Sequence, residues 1–381
     1  MSRFGRRTKW VLFLGSSLLA ILCAEVVLRF IWHNPFRNDQ PDRVVKLRMQ
    51  HANTHHPLDR SLVHPENPTT NLRTNERSYI LPSDQYDDPD CTIAFLGGST
   101  TECFAVAEAI RFPSHVSTLL AEHGLKVSTL NAGTSGNTVH DSINILLNHV
   151  VVDRPDYVVM MHACNDIGVL QRTGDYQSRQ AHYYGWLSVG RVTLMQLTNH
   201  SYTLALLRQT LRERTYLVPE EPEEIAPASD VDESLVANEP QFEQRLRVFI
   251  RTCRAMEIKP VIMTQPIRKQ FNELTPNWVN ATAQQRFNEI IRRVALEEQA
   301  CLVDLVEYVA REYPNPEKQA GLFYDGLHVN DQGSLAHAEC IAQSLLPYIQ
   351  GYQGELSDEL ADDLPELPDV GPLAELPTLR R

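Results

Sequence analysis

Thr92-Ile-Ala-Phe-Leu96 runs directly into Gly97-Gly98-Ser99-Thr100-Thr101. The first five residues read as a buried strand, the two glycines let the backbone leave it sharply, and an apolar helical pattern follows near 108–122. Strand, tight turn and helix in that order set the Ser99 hydroxyl at the carboxyl edge of a sheet, close to backbone amides at a helix start. Taken alone, the segment reads equally as a Gly-rich turn with a serine N-cap. Three familiar alternatives fail on single letters. No GK[ST] completes a P-loop, a third Gly is missing for a dinucleotide turn, and Thr101 stands where a GxSxG elbow needs its last Gly.

Working outward, short apolar runs at Val127–Leu130, Tyr157–Met161, Pro260–Thr264 and Cys301–Leu305 join Thr92–Leu96 as buried strands. Helical patterns near 138–150, 241–256, 280–298 and 333–349 alternate with them. Such alternation predicts an α/β fold, three layers α/β/α around a parallel five-stranded sheet. The expected domain spans 91–350. Residues 170–217 have helical character and Leu217–Pro240 reads as an acidic, Pro-containing loop, together an insertion at about 170–240. Residues 33–90 read as a stalk leading to the domain, and 351–381 as an acidic disordered tail.

Two more strand ends carry polar chemistry. After Val127–Leu130 comes Asn131-Ala-Gly133-Thr-Ser-Gly136-Asn-Thr138, again strand, Gly-rich turn and helix. After Tyr157–Met161 comes His162-Ala-Cys-Asn165-Asp166, which brings an amide side chain to the same edge. Asn165 can donate to an oxyanion or simply form the turn. Late in the chain stands Asp325-Gly-Leu-His328, where a carboxylate three residues before an imidazole can orient the ring and stabilise its charged form. Asp304, at a strand end, is the rival for that orienting role, and Asp166 reads as a brace for its own loop. His115, His140, His149, His162 and His337 sit where packed or surface roles are commoner.

In this combination and order the chain resembles the SGNH hydrolases, also called GDSL-type esterases and lipases, over roughly residues 91–348. The blocks that match are Gly97-Gly98-Ser99-Thr100, Asn131 through Thr138, Cys164-Asn165-Asp166 and Asp325-Gly-Leu-His328. The resemblance implies that Ser99 is the nucleophile, His328 the general base and Asp325 its orienting acid. It further implies an oxyanion hole made by the amides of Ser99 and Gly136 with the Asn165 side chain. The activity implied is ester hydrolysis or acyl transfer, without metal or organic cofactor. Two positions depart from the family pattern. Gly98 replaces the Asp of GDSL, a change expected to disturb no catalytic role, and Ala163 replaces a Gly, where its methyl group is expected close to the oxyanion pocket, able to narrow or reshape it.

The amino terminus adds a location. Arg3, Arg6, Arg7 and Lys9 form a basic flank at 1–9, and residues 10–32 are mostly apolar, about 34 Å of helix at roughly 1.5 Å per residue. Glu25 and Arg29 interrupt that stretch four residues apart, where they can pair towards one end of a span. The expectation is an uncleaved signal-anchor helix, with a cleaved signal peptide as the alternative; the pair of small residues a cleavage site needs is missing, since Leu22 precedes Ala24. The basic flank places the N-terminus in the cytoplasm and the domain on the periplasmic or extracellular side. Tethering there suggests acyl esters of envelope glycans or lipids as substrates. A glycan-binding or assembly protein on the same fold is the non-catalytic alternative.

The remaining composition narrows the classes. Of 381 residues 43% are hydrophobic, enough for a substantial core. The net charge of −13 is concentrated in two acid-rich stretches, 220–239 and 355–375, each with eight acids and no Lys or Arg; the rest of the chain sums to +3. With no basic block, no nucleic-acid partner is implied. Seven cysteines without a CxxC read as small buried thiols, and His51, His55 and His56 as loop residues rather than a metal cluster.

Overall fold

The computed structural model describes residues 6–34, 47–176, 193–194, 197–215, 233–268 and 280–350. The start of the basic flank, the acidic stretch up to 232 and the acidic tail from 351 lie outside the described residues.

Strands β3 (Cys91–Gly97), β4 (Val127–Asn131), β5 (Tyr157–Met161), β6 (Lys259–Met263) and β7 (Cys301–Val303) form one parallel sheet in the order β4-β3-β5-β6-β7. An antiparallel hairpin of β1 (His55–Asp59) and β2 (Thr69–Arg73) precedes it. Within β3, Ala94 and Leu96 pack into one apolar layer while Ile93 and Phe95 pack into the other. A strand covered on both faces needs apolar residues at every position, hence the unbroken runs in the sequence.

Helices α4 (Val139–Asn148), α5 (Cys164–Thr173), α7 (Glu233–Ala255) and α8 (Ala281–Glu297) cover the first face. Helices α3 (Phe112–Ala121), α9 (Leu305–Glu312) and α11 (Asp331–Ile349) cover the second. Short α2 (Ser99–Glu102) and α10 (Pro316–Ala320) lie in the connections, while α1 (Arg6–Ile31) and α6 (Tyr202–Thr215) lie apart from both layers. The expected three-layer α/β/α architecture with a five-stranded parallel sheet is therefore the observed one.

Topology places the site. From β3 the chain crosses first to β4 on one side, then back to β5 on the other, so the connections part at the carboxyl end of β3. In register, Gly97 pairs with Met161 and Phe95 with Asn131. The turns that follow all three strands consequently emerge at one edge.

Two segments differ from the sequence reading. Within the expected stalk, residues 47–90 pack onto the domain. Arg60 makes a bidentate ion pair with Asp331 at 2.7 and 3.1 Å, Tyr79 is buried, and the Ile80 amide donates to the Asn131 carbonyl at 2.9 Å. Polar hairpin residues such as His55, which hydrogen-bonds Asn71 across the strands, conceal the pairing from a hydrophobicity pattern. Residues 233–240 are helix rather than loop. Pro240 sits inside α7, yet Leu235 is buried there and Glu239 holds Arg286 of α8 at 2.6 and 2.8 Å, so packing outweighs the lost backbone bond.

His162 and His337 are fully buried, and desolvation pushes both down to about 3. His337 packs against Phe112 with centroids 5.6 Å apart, and neither of its ring nitrogens has a hydrogen-bond partner among the described residues. Between the unfolded histidine value near 6.5 and about 3, the unfolded chain binds the proton and the folded one does not, so stability falls as pH falls through that window. From pH 7 to pH 5 the loss is roughly 2 kcal/mol for each ring. His337→Leu should remove roughly one ring's share of that loss, read by urea unfolding at the two pH values. An unchanged difference would show that His337 is not held neutral.

Candidate active site

Ser99 opens α2 immediately after β3, and its Oγ lies 2.7 Å from His328 Nε2. The opposite ring nitrogen, Nδ1, is 2.7 Å from Asp325 Oδ2. An ionised carboxylate only accepts, so Nδ1 carries the proton and Nε2 is left as the acceptor for the Ser99 hydroxyl. Asp325 is itself fixed: its Oδ1 accepts the amides of Leu327 at 2.7 Å and His328 at 2.6 Å. The Tyr324 ring stacks on the imidazole, 5.6 Å away at 9°, and Phe104 meets it in a T-shaped contact with centroids 6.3 Å apart. Residues separated by 229 positions thus meet in one hydrogen-bonded line.

The second and third motif loops converge beside this line. Asn165 Nδ2 donates to the Asn137 carbonyl at 2.8 Å, which ties the turn after β5 to the loop containing Gly136. A side-chain amide has two hydrogens, so this bond fixes Asn165 and leaves one N–H for another acceptor. Gly136 has φ +74°, the left-handed region that glycine enters without strain. The expected rival acid, Asp304, is occupied elsewhere: it pairs with Arg292 at 2.6 and 3.0 Å and caps α9. Asp166 is fully buried and accepts from the Val139 amide and the Tyr176 hydroxyl, a brace between α4 and α5.

The two family departures have different outcomes. Ala163 is fully buried and its methyl belongs to the apolar layer with Ile167 and Val139, so it adds to the core instead of narrowing the pocket. Gly98 matters more than the sequence indicated. A methyl group there would overlap Asn165 Nδ2 and sit 3.3 Å from the Asn137 carbonyl. Gly98→Ala should therefore displace the Asn165 amide, and we expect kcat to fall about 10²-fold with KM little changed. Steady-state kinetics on a nitrophenyl ester checks this; unaltered kcat would mean Asn165 yields without cost.

Sequence reasoning missed the supports. Gln265, just beyond β6, donates to Thr100 Oγ1 at 3.0 Å and accepts the Cys164 amide at 2.9 Å, linking the turns that hold Ser99 and Asn165. Asn288 and Gln284 of α8 hold Gln265 in turn. Glu102, buried at the end of α2, accepts from Ser135 and from Gln50 at 2.8 Å; burial pushes its carboxyl above the usual range. Arg48 donates to the carbonyls of Ser135 and Gly136 at 2.9 and 3.0 Å. Arg48 and Gln50 lie in the polar stretch before the first strand. The only signal for Gln265 was an amide residue at a strand's carboxyl end.

One space borders the Ser99–His328 pair, and Tyr324 links it to a second. A crevice of about 10 Å³ lies between Ser99, Phe104, Val106, Tyr324 and His328. Across Tyr324 a cavity of about 410 Å³ is lined by Val63, Arg268, Glu317, Phe323 and Asn330.

No curated protein matches this chain in sequence. Solved structures similar to it include the acetyl xylan esterase AlAXEase, with TM-score 0.43 and 16% identity over 67% of this chain and 99% of that one. The acetylxylan esterase Axe2 from Geobacillus stearothermophilus has TM-score 0.39 and 18% identity over 68% and 94%. The lipase/acylhydrolase from Enterococcus faecalis has TM-score 0.41 and 17% identity over 67% and 95%. The sequence model of the GDSL-like Lipase/Acylhydrolase family matches residues 95–336, well over half of the chain and inclusive of all four motif blocks. By that match the chain belongs to the GDSL-like lipase/acylhydrolase family and is an ester-hydrolysing enzyme.

Proposed function

We propose that this enzyme is a membrane-anchored serine esterase, or the related acyltransferase, that cleaves short acyl esters through Ser99, His328 and Asp325. The observation that carries the reading is the line of two 2.7 Å contacts from Ser99 Oγ through the imidazole to Asp325. His328 Nε2 takes the Ser99 proton as Oγ attacks the acyl carbonyl, and the imidazolium is stabilised by Asp325. The tetrahedral oxyanion accepts from the amides of Ser99 and Gly136 and from the second Nδ2 hydrogen of Asn165. His328 then protonates the departing alcohol. Water, or a sugar hydroxyl in a transfer reaction, reverses the steps and frees Ser99.

The crevice beside Ser99 is about as large as a single water molecule needs, which suits the methyl of an acetyl group. The polar cavity across Tyr324 suits the alcohol portion, a glycan hydroxyl group being one such alcohol. Helix α1 is read as the uncleaved anchor, N-terminus in the cytoplasm, with the domain from 91 to 350 held beside the bilayer. Lys9–Ile31 is 23 residues long and contains an unburied window of mean hydropathy 2.4, sufficient to cross a bilayer by length and composition, as a signal sequence near the N-terminus also is.

A fluorophosphonate probe on the detergent-solubilised full chain, followed by a nitrophenyl ester series from acetate upward, tests the reading. We expect the probe on Ser99 and the highest kcat/KM on acetate. An unlabelled Ser99 in a folded protein that retains an acylated glycan would instead establish a binding protein.

A further inference from the structure

Glu25 lies six residues before the end of α1, inside the apolar stretch. Its pairing with Arg29, at 3.3 Å, is the lesser part of its surroundings. The Glu25 carboxylate accepts the backbone amides of Tyr202 at 2.8 Å and Thr203 at 3.0 Å, and the hydroxyls of Ser201 at 2.9 Å and Thr203 at 3.1 Å. Those two amides open α6, where a helix has no internal acceptors for its first N–H groups. A carboxylate from one helix therefore caps the start of another.

Further contacts fix the junction. Trp32 meets Tyr202 edge-on with centroids 6.2 Å apart, the Arg29 guanidinium lies 5.6 Å from the centre of the Tyr202 ring, and Asn34 donates to the Thr198 carbonyl at 2.7 Å. From this junction runs a set of exposed apolar side chains: Leu194, Leu197, Leu204, Leu206 and Leu207, the second 49% and the last 54% exposed. On α1, which packs against α6, Leu22, Val26 and Val27 are likewise uncovered.

We propose that α6 lies in the interface of the lipid bilayer, docked on the membrane helix through Glu25, with Leu197, Leu204 and Leu207 facing acyl chains. Depth supports a lipid occupant. Glu25 stands six residues, about 9 Å of helix, inside the end of α1, which matches the roughly 5–10 Å to which interfacial helices sink. At that depth water no longer serves the amides that open α6, and Glu25 supplies the acceptors they need. Trp32 and Tyr202 occupy the level where amphipathic rings gather at a bilayer surface. The same arrangement explains why an acidic residue interrupts the span.

This inference rests on the anchor reading above, and the test separates the two. The full chain carries Cys23→Ser, which removes its one exposed thiol, and Leu207→Cys labelled with bimane, in phosphatidylcholine vesicles. Val152→Cys, at a position 76% exposed on the domain, is the control. We expect lipid brominated near the headgroup to quench the label at 207 at least about twofold and aqueous iodide to spare it, with the pattern reversed at 152. Adding Glu25→Ala should make 207 accessible to iodide. Iodide quenching at 207 equal to that at 152, with protein still resistant to alkaline extraction, overturns the inference and leaves the anchor. Complete extraction overturns both, and a label shielded from both quenchers overturns the lipid occupant in favour of a protein one.

Discussion

Ser99→Ala should abolish turnover. We expect kcat on nitrophenyl acetate to fall by about 10⁶-fold, roughly 8 kcal/mol of transition-state stabilisation, to a residue set by the oxyanion donors alone. No covalent adduct with a fluorophosphonate should form. The side-chain hydroxyl's recorded contact is His328 Nε2, and alanine is well accepted at a first helical position, so the melting temperature should stay close to that of the parent. A folded Ser99→Ala enzyme that kept more than about a hundredth of the parent kcat would remove this residue from the chemistry and with it the proposed mechanism.

Asp325→Asn should cost about 10⁴-fold in kcat while leaving KM nearly unchanged. The reason lies in how the carboxylate is held. Its Oδ1 accepts two backbone amides, those of Leu327 and His328, and an asparagine can keep both only by presenting its oxygen to them. The asparagine nitrogen then faces Nδ1 of His328, two donors oppose each other, and the ring must move its proton to Nε2. That proton points at the Ser99 hydroxyl, so the ring can no longer accept from it. Asp304→Asn, by contrast, should leave kcat within about twofold, because its partners are Arg292 and the first turn of α9. Comparable losses in both variants would mean that the orienting acid has been misassigned.

Much of this architecture was readable because parallel strands under two helical layers have to be apolar throughout, and because Gly and polar residues punctuate their ends. Thr92–Leu96, Val127–Leu130 and Tyr157–Met161 fall within or upon the observed strands, and the residues after each one contribute to the candidate site. What escaped had no such signature. The hairpin around His55 and Asn71 is held by backbone pairing and polar contacts, which leave no alternation in hydrophobicity. The start of α7 was hidden by Pro240, and what holds it, the burial of Leu235 and the Glu239–Arg286 pair, joins helices far apart in sequence. Gln265 and Arg48 are individually ordinary letters; their value comes from where the sheet edge brings them. The role of Glu25 likewise required a partner about 177 residues away.

The tight approach of Gly98 to Asn165 also sets a rule for how this sequence can drift. Either position alone is trapped, since a larger residue at 98 evicts the amide and a smaller one at 165 forfeits a donor. Coordinated replacement is the open route, in which bulk gained on one turn is matched by bulk shed on the other, so the penalties of the two single changes need not add. On this backbone, an engineer who edits one without the other is therefore working against the shape of the molecule.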